Sequence, residues 1–180
     1  MVRRLAVRRL AVRRLLELTT TDPTLTLRES RPEEADEYYA LIVRNRLHLT
    51  QFGNYQDEGY ASLSWVKRWL ARPADGLRFG IWRSGALIGR AELALRGPSQ
   101  FTLAYWLGRD HVGRGLMKQA LHRLMQHGRD RFGATAFFAG VTHGNHKSVA
   151  VLRGLGYEAA IDHADHTVFA RSDAAHAASD

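Results

Sequence analysis

The stretch Leu107-Gly108-Arg109-Asp110-His111-Val112-Gly113-Arg114-Gly115-Leu116-Met117 carries the residue types and spacing that point most directly to chemistry. An apolar run ends at Leu107, two glycines turn the backbone, and apolar residues at three- and four-residue spacing begin at Leu116. The first amides of a helix have no intrahelical acceptor and sit at the positive end of its dipole, so a strand–turn–helix of this kind can hold phosphate oxygens. Gly113 and Gly115 let the backbone approach an oxygen closely, and Arg114 adds a charge; the same glycines would also serve a plain tight turn. The P-loop pattern GxxxxGK followed by Ser or Thr is absent. So is GxGxxG, because position 118 is not a third small residue. A second signal lies about thirty residues on, where Asn145-His146-Lys147-Ser148 opens a helix that closes as Leu152-Arg153-Gly154-Leu155-Gly156-Tyr157.

Three side chains near these segments are of types that can carry a proton: Ser148, Glu92 and His143. Glu92 stands in a strand among Ala91, Leu93 and Leu95, where it faces either a cleft or solvent. His143 lies two residues before Asn145, and histidine is a common side chain for proton transfer. The pairs His143/His146 and His163/His166 have HxxH spacing, but no HExxH or carboxylate cluster accompanies them, so no metal site is expected. Tyr38, Tyr39, Phe52, Tyr55, Tyr60, Trp65 and Trp69 read mostly as core. Phe52 to Asp57, polar and glycine-containing, is the better candidate for substrate contact, with Asp57 or Glu58 available to hold a cationic amine.

The elements that position these groups read as one α/β unit. Leu25 to Glu29 alternates as a strand, and Ser30 and Pro32 start a helix reaching about Leu47. A second helix is expected over Asp57 to Ala71, ending before Pro73. Leu77 to Arg83 and Ala86 to Leu95 form a hairpin about Ser84-Gly85, and Phe101 to Leu107 is the next strand. Leu116, Ala120, Leu121, Leu124, Met125 and Gly128 mark the clearest helix, which Gly133 stops. Thr135 to Val141 reads as a central strand, 146 to 155 as a short helix, and Tyr157 to Ile161 and His166 to Ala170 as the last strands.

Tyr105-Trp106-Leu107, the Val-Gly-Arg-Gly-Leu-Met turn, Asn145xxSer148 and Leu155-Gly156-Tyr157 together resemble the GNAT superfamily of acetyl-CoA-dependent N-acetyltransferases. They look most like its branch of ribosomal-protein N-terminal acetyltransferases, over about residues 24–170. The resemblance implies an α/β (α+β) fold whose central mixed, mainly antiparallel sheet splays between its fourth and fifth strands and is flanked by helices. It implies acetyl-CoA as donor, its pantetheine arm pairing with the backbone of Tyr105, Trp106 and Leu107. The pyrophosphate would lie on Val112, Gly113, Arg114, Gly115, Leu116 and Met117. The family pattern usually has Gln or Arg where Val112 stands, and Gly or Ala where Met117 stands. Asn145 would contact pantetheine, and Ser148 matches the serine that this branch uses near the sulfur, as proton donor or thiolate partner. Leu152 stands where other branches place a tyrosine. A glutamate on the fifth strand of some relatives corresponds to Gly140, which leaves Glu92 and His143 as the candidate bases.

The formal charge of the 180 residues is +8, but residues 1–18 hold six arginines against Glu17 and account for +5 of it. Val2 to Leu16 repeats as VRRLA, VRRLA, VRRLL. A pentad advances about 140° net per repeat on a helix, so its leucines make no single stripe. The expected organisation is a basic extension over 1–18, a linker over 19–23, one catalytic domain over 24–171 and a flexible tail over 172–180. With 45% hydrophobic residues the chain can bury a core, and no apolar run approaches the roughly 18–20 residues of a membrane span. The absence of cysteine removes disulfides and thiolate chemistry and fits a cytoplasmic setting. The expected activity is acetyl transfer to a protein or peptide N-terminal α-amine by a monomer or homodimer. The alternatives are a small-amine acetyltransferase of resistance or self-protection type, and a non-catalytic module touching RNA or the ribosome through residues 2–14.

Overall fold

A computed structural model describes residues 16–72 and 76–172. Eight strands form a single sheet in the order β1-β2-β3-β4-β5-β6-β8-β7. They are β1 Glu17–Thr19, β2 Leu25–Glu29, β3 Gly76–Arg83, β4 Ala86–Gly97, β5 Gln100–Leu107, β6 Ala136–Thr142, β7 Glu158–Asp162 and β8 His166–Ser172. All neighbours are antiparallel except β5 and β6, which run parallel and pair only from Gln100–Thr102 to Ala136–Phe138. Because β5 continues to Leu107, the sheet divides beyond Thr102. This is the expected splay, between the same two segments.

Among the described residues, five α-helices flank the sheet: α1 Ala35–Thr50, α2 Gln56–Gly59, α3 Leu63–Ala71, α4 Leu116–Phe132 and α5 His146–Arg153. Leu116, Met117, Ala120, Leu121, Leu124, Met125 and Gly128 are the buried stripe of α4 and pack with Phe79, Leu93 and Phe137 in the larger core. The smaller core joins Tyr38, Ile42 and Leu49 of α1 and Val66 and Leu70 of α3 to Trp82, Leu87 and Trp106 of the sheet. At the β3–β4 turn, φ is positive at both Ser84 (48°) and Gly85 (83°), as a tight hairpin requires.

Two expected elements begin or end differently. The helix expected from Pro32 opens as a 3-10 turn, and its cap is the Glu34 carboxylate, which accepts from the Arg31 N–H at 3.0 Å; the Ser30 hydroxyl is not the cap. The helix expected over Asp57 to Ala71 breaks at Tyr60, and α3 restarts where Ser62 Oγ accepts from the Trp65 N–H at 3.2 Å.

The boundary expected at residues 18 and 19 also moves. Residues 17–19 are an edge strand in register with β2, and Leu18 is only 2% exposed against Leu27. The expected linker is a tight turn in which Asp22 Oδ1 accepts from the Thr24 N–H at 2.9 Å and Thr20 Oγ1 donates to the Leu25 carbonyl at 3.0 Å. Residues 1–15 of the arginine repeat, and 173–180 of the tail, lie outside the described residues. A chain truncated through Leu18 is expected to be less stable than one truncated through Arg14 by roughly 1.5–3 kcal/mol, the value of one buried leucine, as read from urea unfolding.

Candidate functional site

Where β5 and β6 part, a cleft of about 390 Å³ opens between the end of β5, the start of α4, the start of α5 and the segment joining α1 to α2. Two of its walls follow from local sequence. Gly113 (φ 77°) and Gly115 (φ 72°) carry the chain from the 3-10 turn Arg109–His111 into α4 in the left-handed region that favours glycine, and a Cβ built on either meets no atom within 4 Å. The helix then opens with the Gln119 N–H donating to the Gly115 carbonyl at 3.2 Å, so the amides of residues 116–118 precede its first bond. Opposite, Asn145 Oδ1 accepts from the Ser148 N–H at 3.2 Å and caps α5. The AsnxxSer motif is thus first a helix cap, and the Asn145 carboxamide nitrogen is the part that the cap does not use.

Of the residues expected at a donor site, Tyr105, Trp106, Leu107, Val112, Gly113, Gly115, Leu116, Met117, Asn145 and Ser148 all line this one cleft. Arg114 is exposed and stands outside its walls. The Trp106 indole is committed elsewhere, its Nε1–H donating to Glu58 Oε1 at 2.9 Å. Ser148 is half-buried, and its carbonyl lies 3.5 Å from the Tyr105 hydroxyl.

The two candidate bases do not line the cleft. Glu92 is held by Arg90, whose guanidinium donates to Glu92 Oε2 at 3.1 Å. His143 is exposed, and its Nε2 lies 3.0 Å from Asp162 Oδ1 on the edge strand β7. Glu58 also differs from expectation: it holds a cation, but that cation is the protein's own Arg90. Glu58 (5% exposed) and Arg90 (6%) form a buried pair with Arg90 Nη2 donating to Oε2 at 2.9 Å. Tyr38 Oη and Trp106 Nε1 donate to the same carboxylate. Burial pushes the Glu58 carboxyl up, but Arg90 and these hydrogen bonds bring it below its ordinary value. Asp57, the other residue expected to hold an amine, is exposed and does not line the cleft.

Phe52, Asn54 and Tyr55, from the segment expected to touch substrate, do line it. His48 and His111 line it too, and sequence reading singled out neither. His48 Nε2 lies 3.2 Å from the Leu107 carbonyl and bridges 59 positions of sequence, which no local periodicity could reveal. Burial, with Lys147 and Arg109 nearby, holds the His48 pKa below its ordinary value of 6.5, although the bond to Leu107 favours the proton. His48 is therefore neutral at pH 7. Its contribution to stability is present above pH 6.5 and is lost as pH falls toward the lowered value, because the unfolded chain then binds the proton more readily. An NMR titration of the His48 ring should give a midpoint below 6.5; a midpoint at or above 6.5 contradicts this.

These residues suit an acyl-coenzyme donor on two observations. The open glycine turn leaves room for a phosphate against free helix amides. The edge of β5 directs hydrogen-bonding groups into the cleft, as the bonds from His48 and Tyr55 to Leu107 and Tyr105 show.

Residues 24–158 match the family described as Acetyltransferase (GNAT) domain, and the chain belongs to that family. It is accordingly an acyltransferase. The solved structures it resembles include "RimL- Ribosomal L7/L12 alpha-N-protein acetyltransferase in complex with Coenzyme A", at 20% identity and TM-score 0.79 over 88% of this chain and 99% of that one. Ribosomal-protein-S5-alanine acetyltransferase from Vibrio fischeri is similar at 17% identity and TM-score 0.74, over 84% and 94% of the two chains. The microcin C7 self-immunity acetyltransferase MccE, solved with acetyl-CoA and AMP, follows at 18% identity and TM-score 0.72, over 83% and 92%. No curated protein matches the chain in sequence. No helix among the described residues is long and apolar enough to cross a membrane.

Proposed function

We propose that this enzyme acetylates the N-terminal α-amine of a protein or peptide. The observation that carries this reading is the charge of the cleft. Lys118 and Lys147 are the charged side chains that line it, beside the neutral rings of His48 and His111, and among the described residues of its walls there is no carboxylate. A polyamine or an aminoglycoside brings several positive charges and needs acidic partners. A peptide α-amine brings one, with an ordinary pKa near 8, so about a tenth of it is neutral at pH 7 without a strong base. Neither Glu92 nor His143 is then required for its deprotonation. The likeness to two ribosomal-protein N-acetyltransferases points the same way.

In this reading the amides at the start of α4, with Val112, Gly113, Gly115, Leu116 and Met117, hold the pyrophosphate, while Arg114 contributes charge from outside the wall. The backbone of Trp106 and Leu107 and the carboxamide of Asn145 hold the pantetheine arm, and the Tyr105 amide is left for its acetyl end. Acetyl-CoA supplies an acetyl group activated as a thioester. The Tyr105 amide polarises the carbonyl under attack; the C–N bond forms, the C–S bond breaks, and the proton shed by the amine nitrogen ends on the departing thiolate, directly or relayed through the Ser148 hydroxyl, which hydrogen-bonds the sulfur. Ser148→Ala is expected to lower kcat about 10- to 100-fold while changing acetyl-CoA affinity less than threefold, from steady-state rates and calorimetry. An unchanged rate removes Ser148 from the mechanism.

The acceptor class is tested by following CoA thiol release with a panel of peptides of varied N-terminal residue, N-blocked controls, polyamines and aminoglycosides. The proposal expects release with free N-termini and none with blocked ones. Turnover confined to the polycationic amines would overturn it.

A further inference from the structure

Beyond Thr102 the β5 edge has lost its β6 partner, and its outward backbone groups need other partners. One side chain serves both groups of Tyr105. The Tyr55 hydroxyl donates to the Tyr105 carbonyl at 2.9 Å and accepts from the Tyr105 N–H at 3.1 Å, so a phenol stands where the next strand would lie. Tyr55 reaches this place from a backbone in the left-handed region (φ 56°, ψ 25°), a conformation that L side chains seldom adopt. The residues just after it are fixed, because Glu58 on the next helical turn is tied to Arg90 of β4 and Trp106 of β5. The unusual backbone and the buried anchor together aim one hydroxyl at one peptide group.

We propose that Tyr55 is a positioning residue of the acetyl-donor site: its hydroxyl holds the Tyr105 amide in place and yields that amide to the thioester carbonyl oxygen when acetyl-CoA binds. The proposal rests on the donor reading of the cleft given above. The Tyr55 proton stays on the Tyr105 carbonyl throughout, so only the acceptor of the Tyr105 N–H changes. Burial raises the phenol's pKa, which keeps that proton in place at neutral pH. Two consequences follow. The amide that polarises the carbonyl is kept oriented before the donor arrives, and Tyr55 competes with the thioester but not with the rest of CoA.

The test compares acetyl-CoA with CoA, which lacks the carbonyl, in calorimetric titrations of the full chain and of Tyr55→Phe. Removing the competing hydroxyl should tighten acetyl-CoA binding about three- to tenfold, the worth of one net hydrogen bond, and leave CoA within about twofold. Equal changes for both ligands, or no change for either, would overturn the proposal while leaving the donor site intact. If neither ligand binds the unaltered chain, the donor reading falls and the proposal with it. Hydrogen exchange at the Tyr105 amide gives a second readout. It should be slow in the unaltered chain and fast in Tyr55→Phe, and acetyl-CoA but not CoA should restore protection to the variant. Equal exchange in the two proteins without ligand would contradict the assignment.

Discussion

Gly115→Glu is expected to weaken acetyl-CoA binding by roughly 100-fold or more while lowering the thermal transition by only a few degrees, since it loses about two charge-assisted hydrogen bonds to the donor's phosphate and adds the strain of one left-handed residue. Gly115 is the N-cap of α4 at φ 72°, and a Cβ built on it meets nothing within 4 Å, so the side chain has room and projects into open space. A carboxylate there lies against the free amides of the helix start. It takes for itself the positive end of the dipole and repels any phosphate that approaches. Gly115→Ala separates the causes, because it carries the left-handed strain without the charge. Its affinity should fall far less, within about tenfold. If Gly115→Glu binds acetyl-CoA as the parent does, the pyrophosphate does not lie on this turn.

Glu58→Ala should have the largest effect on stability, a loss of roughly 3–5 kcal/mol, which is on the order of 10 °C in Tm for a chain of this size. Its origin is the Arg90 guanidinium, 6% exposed, which would be left without the carboxylate that accepts from its Nε and Nη2. Tyr38 and Trp106 would lose an acceptor at the same step. Replacing both members, Glu58→Leu with Arg90→Met, should cost less than Glu58→Ala alone, because no buried charge is stranded. The pair also sets an acid limit. The folded pKa of Glu58 lies below its ordinary 4.5, so its contribution is present above pH 4.5 and is lost as pH falls through the lowered value. Unfolding followed from pH 6 to 3 should therefore steepen below pH 4.5 in the parent and less so in Glu58→Gln. A Tm change under about 2 °C for Glu58→Ala would show that the pair holds nothing.

The glycine turn and the helix cap that wall the cleft were legible because they are written in local residue types. Gly113 and Gly115 have positive φ, and Asn145 caps the helix that Ser148 opens. A backbone turn or a cap depends on residues within four positions of one another, and sequence displays that directly. The proton-transfer groups were not legible in this way. Glu92 and His143 have suitable types, but each is bound to a partner outside the cleft, Arg90 and Asp162. Tyr55 and His48 became visible only when the fold brought them to β5 from 50 and 59 positions away. Strand β1 was hidden for another reason. Its one buried residue, Leu18, follows a basic repeat whose charge dominates the composition, so a three-residue edge strand was divided between the extension and the linker.

The central claim is that the split between β5 and β6 is the acetyl-CoA site. It is tested most directly by titrating the labelled protein with acetyl-CoA and following backbone amide shifts. The account predicts one-to-one saturation, with the largest shifts at Tyr105, Leu107, Gly113 to Met117 and Ser148. Saturable shifts confined to other surfaces, or no binding at all, would contradict it.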